Sequence, residues 1–204
     1  MPTQNKNQND PYEIILPEFN PNIFSASKRI GSNPHGILLE IGVSEDEVIA
    51  DFGCGVGFFV MEAADIVGEK GSIYAVDIDQ KMLDSLKVKA IESGMKNIYG
   101  VRADLEEPGA TGLKNESCDI VLMINLLYLI KNKAAVMEEA YRILKNNGKM
   151  VIMEWSDKKS TTMLEKNEHV SLKELKDLAQ KIGFQFSRNF EAGLAHEVAI
   201  FSKK

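Results

Sequence analysis

Val48-Ile49-Ala50-Asp51-Phe52-Gly53-Cys54-Gly55-Val56-Gly57, followed by Ile73-Tyr74-Ala75-Val76-Asp77-Ile78, decides the fold. Residues 48 to 52 are an apolar run of strand length. Three glycines then supply a turn that a ligand can approach without side-chain obstruction, and Phe58 to Val67 continues as a helix. The second run ends on Asp77, 24 positions beyond Gly53, about where a second parallel strand delivers an acid to a ribose diol. A glycine turn after one strand, paired with a carboxylate ending the next, reads as a nucleoside-cofactor site. The turn alone also fits an ordinary strand, turn and helix without a ligand.

Outward from this pair, apolar periodicity and breakers predict strands near 47–52, 72–77, 97–101, 119–124, 149–154, 184–190 and 195–201. Helices are predicted at 58–67, 80–93, 132–145 and 171–182, the last with Ser171 as cap and Glu174 three residues on. Strand and helix alternate, which implies an α/β fold with a mostly parallel, doubly wound sheet covered on both faces. The last two strands, joined by Glu191-Ala192-Gly193, look like a hairpin, so one of them should run antiparallel at the sheet edge.

The spacing of the glycines selects the ligand. A dinucleotide fingerprint places a third glycine three positions after the second, where this chain has Phe58. Here G-x-G-x-G follows Asp51, an acid that suits a free ammonium and a sulfonium better than a pyrophosphate. That points to S-adenosyl-L-methionine and away from a nicotinamide cofactor. At these residues the chain resembles the class I S-adenosylmethionine-dependent methyltransferases, whose first motif is an acid followed by G-x-G-x-G. Ala140-Tyr141-Arg142-Ile143-Leu144-Lys145-Asn146-Asn147-Gly148-Lys149-Met150-Val151-Ile152 resembles the family's helix, turn and fifth strand, with Asn146-Asn147-Gly148 where Pro-Gly-Gly is usual. The resemblance covers about residues 35 to 203. It implies a Rossmann-like, seven-stranded sheet closing in a C-terminal antiparallel hairpin, within a domain of residues 35–204 behind an N-terminal segment, 1–34.

Site roles follow from the resemblance. Asp51, Gly53, Cys54, Gly55 and Gly57 would surround the methionine part of the cofactor, and Asp77 would accept both ribose hydroxyls. Asp104, in Tyr99-Gly100-Val101-Arg102-Ala103-Asp104-Leu105, would accept from the adenine amino group. Ile78 and Leu105 would either sandwich the purine or pack in the core. Asn125 ends the predicted fourth strand, where open α/β sheets bind ligands. Cys118 stands where the family usually has an aromatic residue. Glu154-Trp155 is similar to a pair found in ubiquinone and menaquinone C-methyltransferases. Methyl transfer from a sulfonium demands alignment first, and a base only for an unactivated acceptor. Tyr128 and Glu154, at neighbouring strand ends, are the candidate catalytic groups, with packing or surface roles as the alternative.

With 204 residues, 44% hydrophobic and 26% charged, the composition is that of one globular domain. No membrane span is expected, nor a secretory signal in Met1 to Asp10, and the location expected is cytoplasmic. A formal charge of −6 argues against a nucleic-acid partner. Cys54 and Cys118 lack zinc or redox spacing, and His35, His169 and His196 lack ligand-spaced partners, so no metal is predicted and the histidines are taken as surface or capping groups. Tyr12, Phe19 and Phe24 could cover an acceptor pocket as a lid, or strap the N-terminal segment down. Only 14 positions, 157 to 170, separate the fifth strand from the next helix, too few for a large substrate domain. The acceptor is therefore expected to be a small molecule, or a group presented by a partner protein. Arsenite methylation, a related family chemistry that needs several cysteines, is disfavoured. A non-catalytic S-adenosylmethionine sensor or scaffold, or an RNA or protein methyltransferase, is the alternative.

Overall fold

The computed structural model describes residues 33–155, 170–193 and 196–204. In chain order the elements are α1 (Pro34–Ile41), β1 (Val48–Phe52), α2 (Phe58–Val67), β2 (Ser72–Asp77), α3 (Gln80–Glu92), β3 (Ile98–Arg102), β4 (Cys118–Ile124), α4 (Lys133–Ile143), β5 (Leu144–Trp155), α5 (Leu172–Ile182), β6 (Phe184–Ala192) and β7 (His196–Lys203). They form one seven-stranded sheet in the order β3-β2-β1-β4-β5-β7-β6. β1 to β5 pair in parallel, and β7 inserts antiparallel between β5 and β6. The predicted doubly wound sheet with a terminal antiparallel hairpin is therefore present.

Each buried strand feeds two cores, because alternate side chains point to opposite faces. Ile49 joins one apolar cluster while Ala50 and Phe52 join the other. The first is closed by Ile37, Leu38 and Ile41 of α1 and Phe59, Val60 and Ala63 of α2; the second by Val136, Met137 and Ala140 of α4 and Leu175 and Ala179 of α5. The chain leaves β1 toward β2 on one side and β4 lies on the other, so the strand order reverses between β1 and β4. Such a reversal is where open α/β sheets bind ligands, beyond the carboxyl ends of the strands.

Four local features differ from the sequence expectation. Helix α1 was not expected, although Pro34 at its first turn and Gly42 in the left-handed region after its last are start and stop signals. Strand β5 begins at Leu144, and Asn146-Asn147-Gly148 lies within it as a register irregularity opposite Cys118 and Ile120, with Asn147 at φ 65. Ser171 occupies the cap position of α5, but among the described residues its side chain makes no capping hydrogen bond, so the predicted capping box is not formed. Strand β6 runs on through Glu191 and Ala192, moving the hairpin turn to Gly193. The N-terminal residues Tyr12, Phe19 and Phe24 lie outside the described residues.

Candidate functional site

The glycine turn is held from three directions. The amides of Gly53 and Cys54 both donate to the Val76 carbonyl, at 2.8 and 3.0 Å, tying the turn to β2. The Gly55 amide donates to Asp77 Oδ2 at 2.8 Å, and Asp77 Oδ1 accepts from the Asp79 amide at 2.9 Å. Lys89 Nζ, from α3, donates to the Val56 carbonyl at 2.9 Å. Asp77 thus braces the turn while each of its oxygens keeps a second lone pair for a ligand donor.

All three glycines take positive φ, 71 at Gly53, 53 at Gly55 and 83 at Gly57. Their surroundings differ. A Cβ at Gly53 would lie 2.7 Å from Leu126 Cδ1, and one at Gly57 would lie 2.3 Å from Leu86 Cδ1, so both are confined by packing. A Cβ at Gly55 would meet nothing within 4 Å, so Gly55 is where the turn faces open space.

Asp51, at 3% exposure, is buried beneath this turn. Burial first, then the charge of Asp77, pushes its carboxyl up to about 8. Among the described residues no side-chain hydrogen bond to its carboxylate is present to offset that burial. Burial and the same two acids also push the Cys54 thiol up, away from a reactive thiolate. Ile78 is half-buried and belongs to neither apolar cluster, whereas Leu105 is buried in the second one. Asp104 is half-buried, and its Oδ1 accepts from the Glu106 amide at 3.0 Å.

Beyond β4 the chain turns sharply. Asn125 takes φ 51, its amide donates to the Met153 carbonyl at 2.8 Å, and its Oδ1 lies 3.0 Å from His196 Nε2. Glu154, 6% exposed, accepts from the Leu127 amide at 2.7 Å, and the amides of Leu126 and Tyr128 also lie toward its carboxylate. Burial pushes this carboxyl up to about 7, with the three amides and Lys133 pulling the other way. Glu154 therefore anchors the loop that carries Tyr128, which is itself half-buried. Trp155, next on β5, stacks on His196 with ring centres 4.2 Å apart.

His196 corrects the expectation of surface histidines: it is 1% exposed at the start of β7. No local signal announced this, because the antiparallel insertion of β7 beside β5 brings it there. His35 is half-buried, 3.3 Å from Glu62 Oε2, and His169 lies outside the described residues. Among the described residues no group of three His, Cys, Asp or Glu could hold a metal ion, and no helix is long and apolar enough to cross a membrane.

Residues 44–193 match the family model of a methyltransferase domain. The chain belongs to the S-adenosylmethionine-dependent methyltransferase family. This methyltransferase domain is 33% identical over 159 residues to human arsenite methyltransferase, covering 67% of this chain and 40% of that protein. It is 28% identical over 116 residues to the ubiquinone/menaquinone biosynthesis C-methyltransferase UbiE of Vibrio vulnificus, covering 56% of this chain and 44% of that one. The chain thus matches less than half the length of both. A methyltransferase structure from Aquifex aeolicus shares the fold with a TM-score of 0.81 at 22% identity, covering 92% of this chain and all of the other. S-Adenosylmethionine is accordingly the cofactor of the family, and the residues present fit it: a buried acid with no cation paired to it among the described residues, a braced acid ending β2, and open space at Gly55.

Proposed function

We propose that this protein transfers a methyl group to a small-molecule acceptor bound beyond the carboxyl ends of β4 and β5. The observation that carries the reading is the convergence of Asp51, the Gly55 amide and Asp77 on one sheet edge, beside an Asn125–His196–Trp155 cluster on its neighbours. Bound cofactor would supply an already activated methyl group, leaving the protein to align the acceptor and exclude water. Asp51 would pair with the ammonium and Asp77 with the ribose diol. Asp104 would take the adenine amino group, and half-buried Ile78 would shelve the purine. Glu154 would act through the loop it anchors, and Tyr128, on that loop, would face the acceptor.

The short interval after β5 and the acidic overall charge support a small molecule over a nucleic acid or a large protein substrate. The two cysteines sit at opposite ends of the sheet, Cys54 after β1 and Cys118 at the start of β4, and both are buried. They cannot together bind a thiophilic arsenic centre, so the acceptor chemistry of the human relative is not carried over. The test is calorimetric titration with S-adenosylmethionine, S-adenosylhomocysteine and NADH, followed by turnover across small phenols, thiols and amines. Micromolar binding of the first two with turnover of one acceptor class supports the proposal. Binding without any turnover favours a sensor, and preference for NADH refutes the cofactor.

A further inference from the structure

The His196 ring holds one committed nitrogen and one free. Nε2 lies 3.0 Å from Asn125 Oδ1, an oxygen that can only accept, so Nε2 carries the proton. Nδ1 is then a bare lone pair, and it is the buried side-chain nitrogen or oxygen without a hydrogen-bond partner among the described residues. Native proteins rarely leave such a group unpaired, because its desolvation goes uncompensated. One face packs against Trp155, and the Asn125 main-chain N–H donates to the Met153 carbonyl, which holds the backbone of that residue at the end of β4. Strand pairing sets His196 opposite Trp155, at the carboxyl end of β5 where the acceptor is proposed to bind.

We infer that His196 Nδ1 is the hydrogen-bond acceptor that positions the methyl acceptor, and that the acceptor is a neutral molecule bearing an O–H, N–H or S–H donor. This rests on the methyltransferase reading above and gives it a substrate class. Burial pushes the imidazole down to about 4, so the ring is neutral at pH 7 and offers the lone pair rather than a second N–H. The burial that keeps the ring uncharged also disfavours a charged ammonium as its partner. His196 acts here by orientation: it fixes where the donor-bearing atom sits, and Asn125 fixes which nitrogen does so.

The experiment is nitrogen NMR of the three histidines in full-length, 15N-labelled protein saturated with S-adenosylhomocysteine, assigned with His196→Phe. Phenol is the probe, and anisole, the same ring with its hydroxyl capped, is the control. His196 should show a protonated Nε2 and a bare Nδ1, and phenol should move the Nδ1 resonance while anisole leaves it in place. Phenol should also bind about tenfold more tightly than anisole, the effect of one net hydrogen bond. That preference should vanish in His196→Phe while its affinity for S-adenosylhomocysteine stays that of the wild type. A proton found on Nδ1, or an Nδ1 unmoved by phenol, overturns the inference, and both are read in the wild-type protein even if the variant does not fold. Failure of S-adenosylhomocysteine to bind would instead sink the parent reading, with the tautomer and the phenol response still measurable in the cofactor-free chain.

Discussion

Asp51→Asn should change how stability depends on pH, and the size follows from burial. The Asp51 carboxyl titrates at 3.8 when unperturbed and at about 8 in the fold, pushed up by desolvation and then by Asp77. Between those values the folded chain holds a proton that the unfolded chain has released. Stability from this group is therefore greatest below pH 4 and is lost as pH rises toward 8, at about 1.4 kcal/mol per pH unit. From pH 5 to pH 7 the wild type should lose about 2.7 kcal/mol through this residue, roughly 5–10 °C in Tm for a domain of this size. Asparagine fills nearly the same volume and does not titrate. Urea unfolding of both proteins at pH 5, 6, 7 and 8, with m checked for constancy, isolates Asp51, since Glu154 and every other titrating group are common to the pair. The difference between the two stabilities should grow with pH in favour of Asp51→Asn. Parallel curves would refute the buried, uncompensated carboxyl.

Other substitutions separate support of the turn from contact with the ligand. Gly57→Ala adds a Cβ 2.3 Å from Leu86 at φ 83 and should destabilise by about 2–3 kcal/mol in urea unfolding. Gly55→Ala, with nothing within 4 Å, should cost only about 1 kcal/mol yet reduce S-adenosylhomocysteine affinity at least about tenfold by calorimetry. Asp77→Ala should abolish cofactor binding and also lower stability by about 1–2 kcal/mol, because the Gly55 and Asp79 amides lose their acceptor. Glu154→Ala should speed hydrogen exchange at the Leu127 and Tyr128 amides selectively and lower stability by about 1–3 kcal/mol; exchange unchanged at those amides would remove its anchoring role.

What could be read along the chain was whatever is local. The three glycines with positive φ, the acid ending β2 and the alternation of strand and helix all leave their mark within a few residues, and each stands where expected. Helix α1 was just as local, with Pro34 and Gly42 at its ends, but eight residues are too few for periodicity to register. The roles of Glu154 and His196 were not legible, because they depend on partners far away in sequence. Glu154 meets the Leu127 amide across 27 residues, and His196 meets Asn125 across 71. Only the pairing of β5 with β4 on one side and β7 on the other brings these groups together. Leu105 shows the same limit from the opposite side: adjacent to Asp104 in sequence, it faces the core while its neighbour does not.

The burial shifts in this cleft run in one direction. Asp51 and Glu154 are pushed up and His196 is pushed down, so each is driven toward its neutral form and away from the charge its chemistry suggests. A cationic ligand changes that balance at Asp51, where an ammonium would restore the carboxylate and release the proton. Affinity for S-adenosylmethionine should therefore rise with pH, approaching tenfold per unit below about 8, through the same interval in which the free protein loses stability. Asp51→Asn should flatten both slopes together. The opposition is physical: a carboxyl buried without a cation among the described residues is what a cationic ligand can use, and removing that carboxyl removes both the cost and the affinity. Calorimetry at pH 6, 7 and 8 in buffers of differing ionisation enthalpy would count the released proton directly, and its absence in the wild type would break the link between the two slopes.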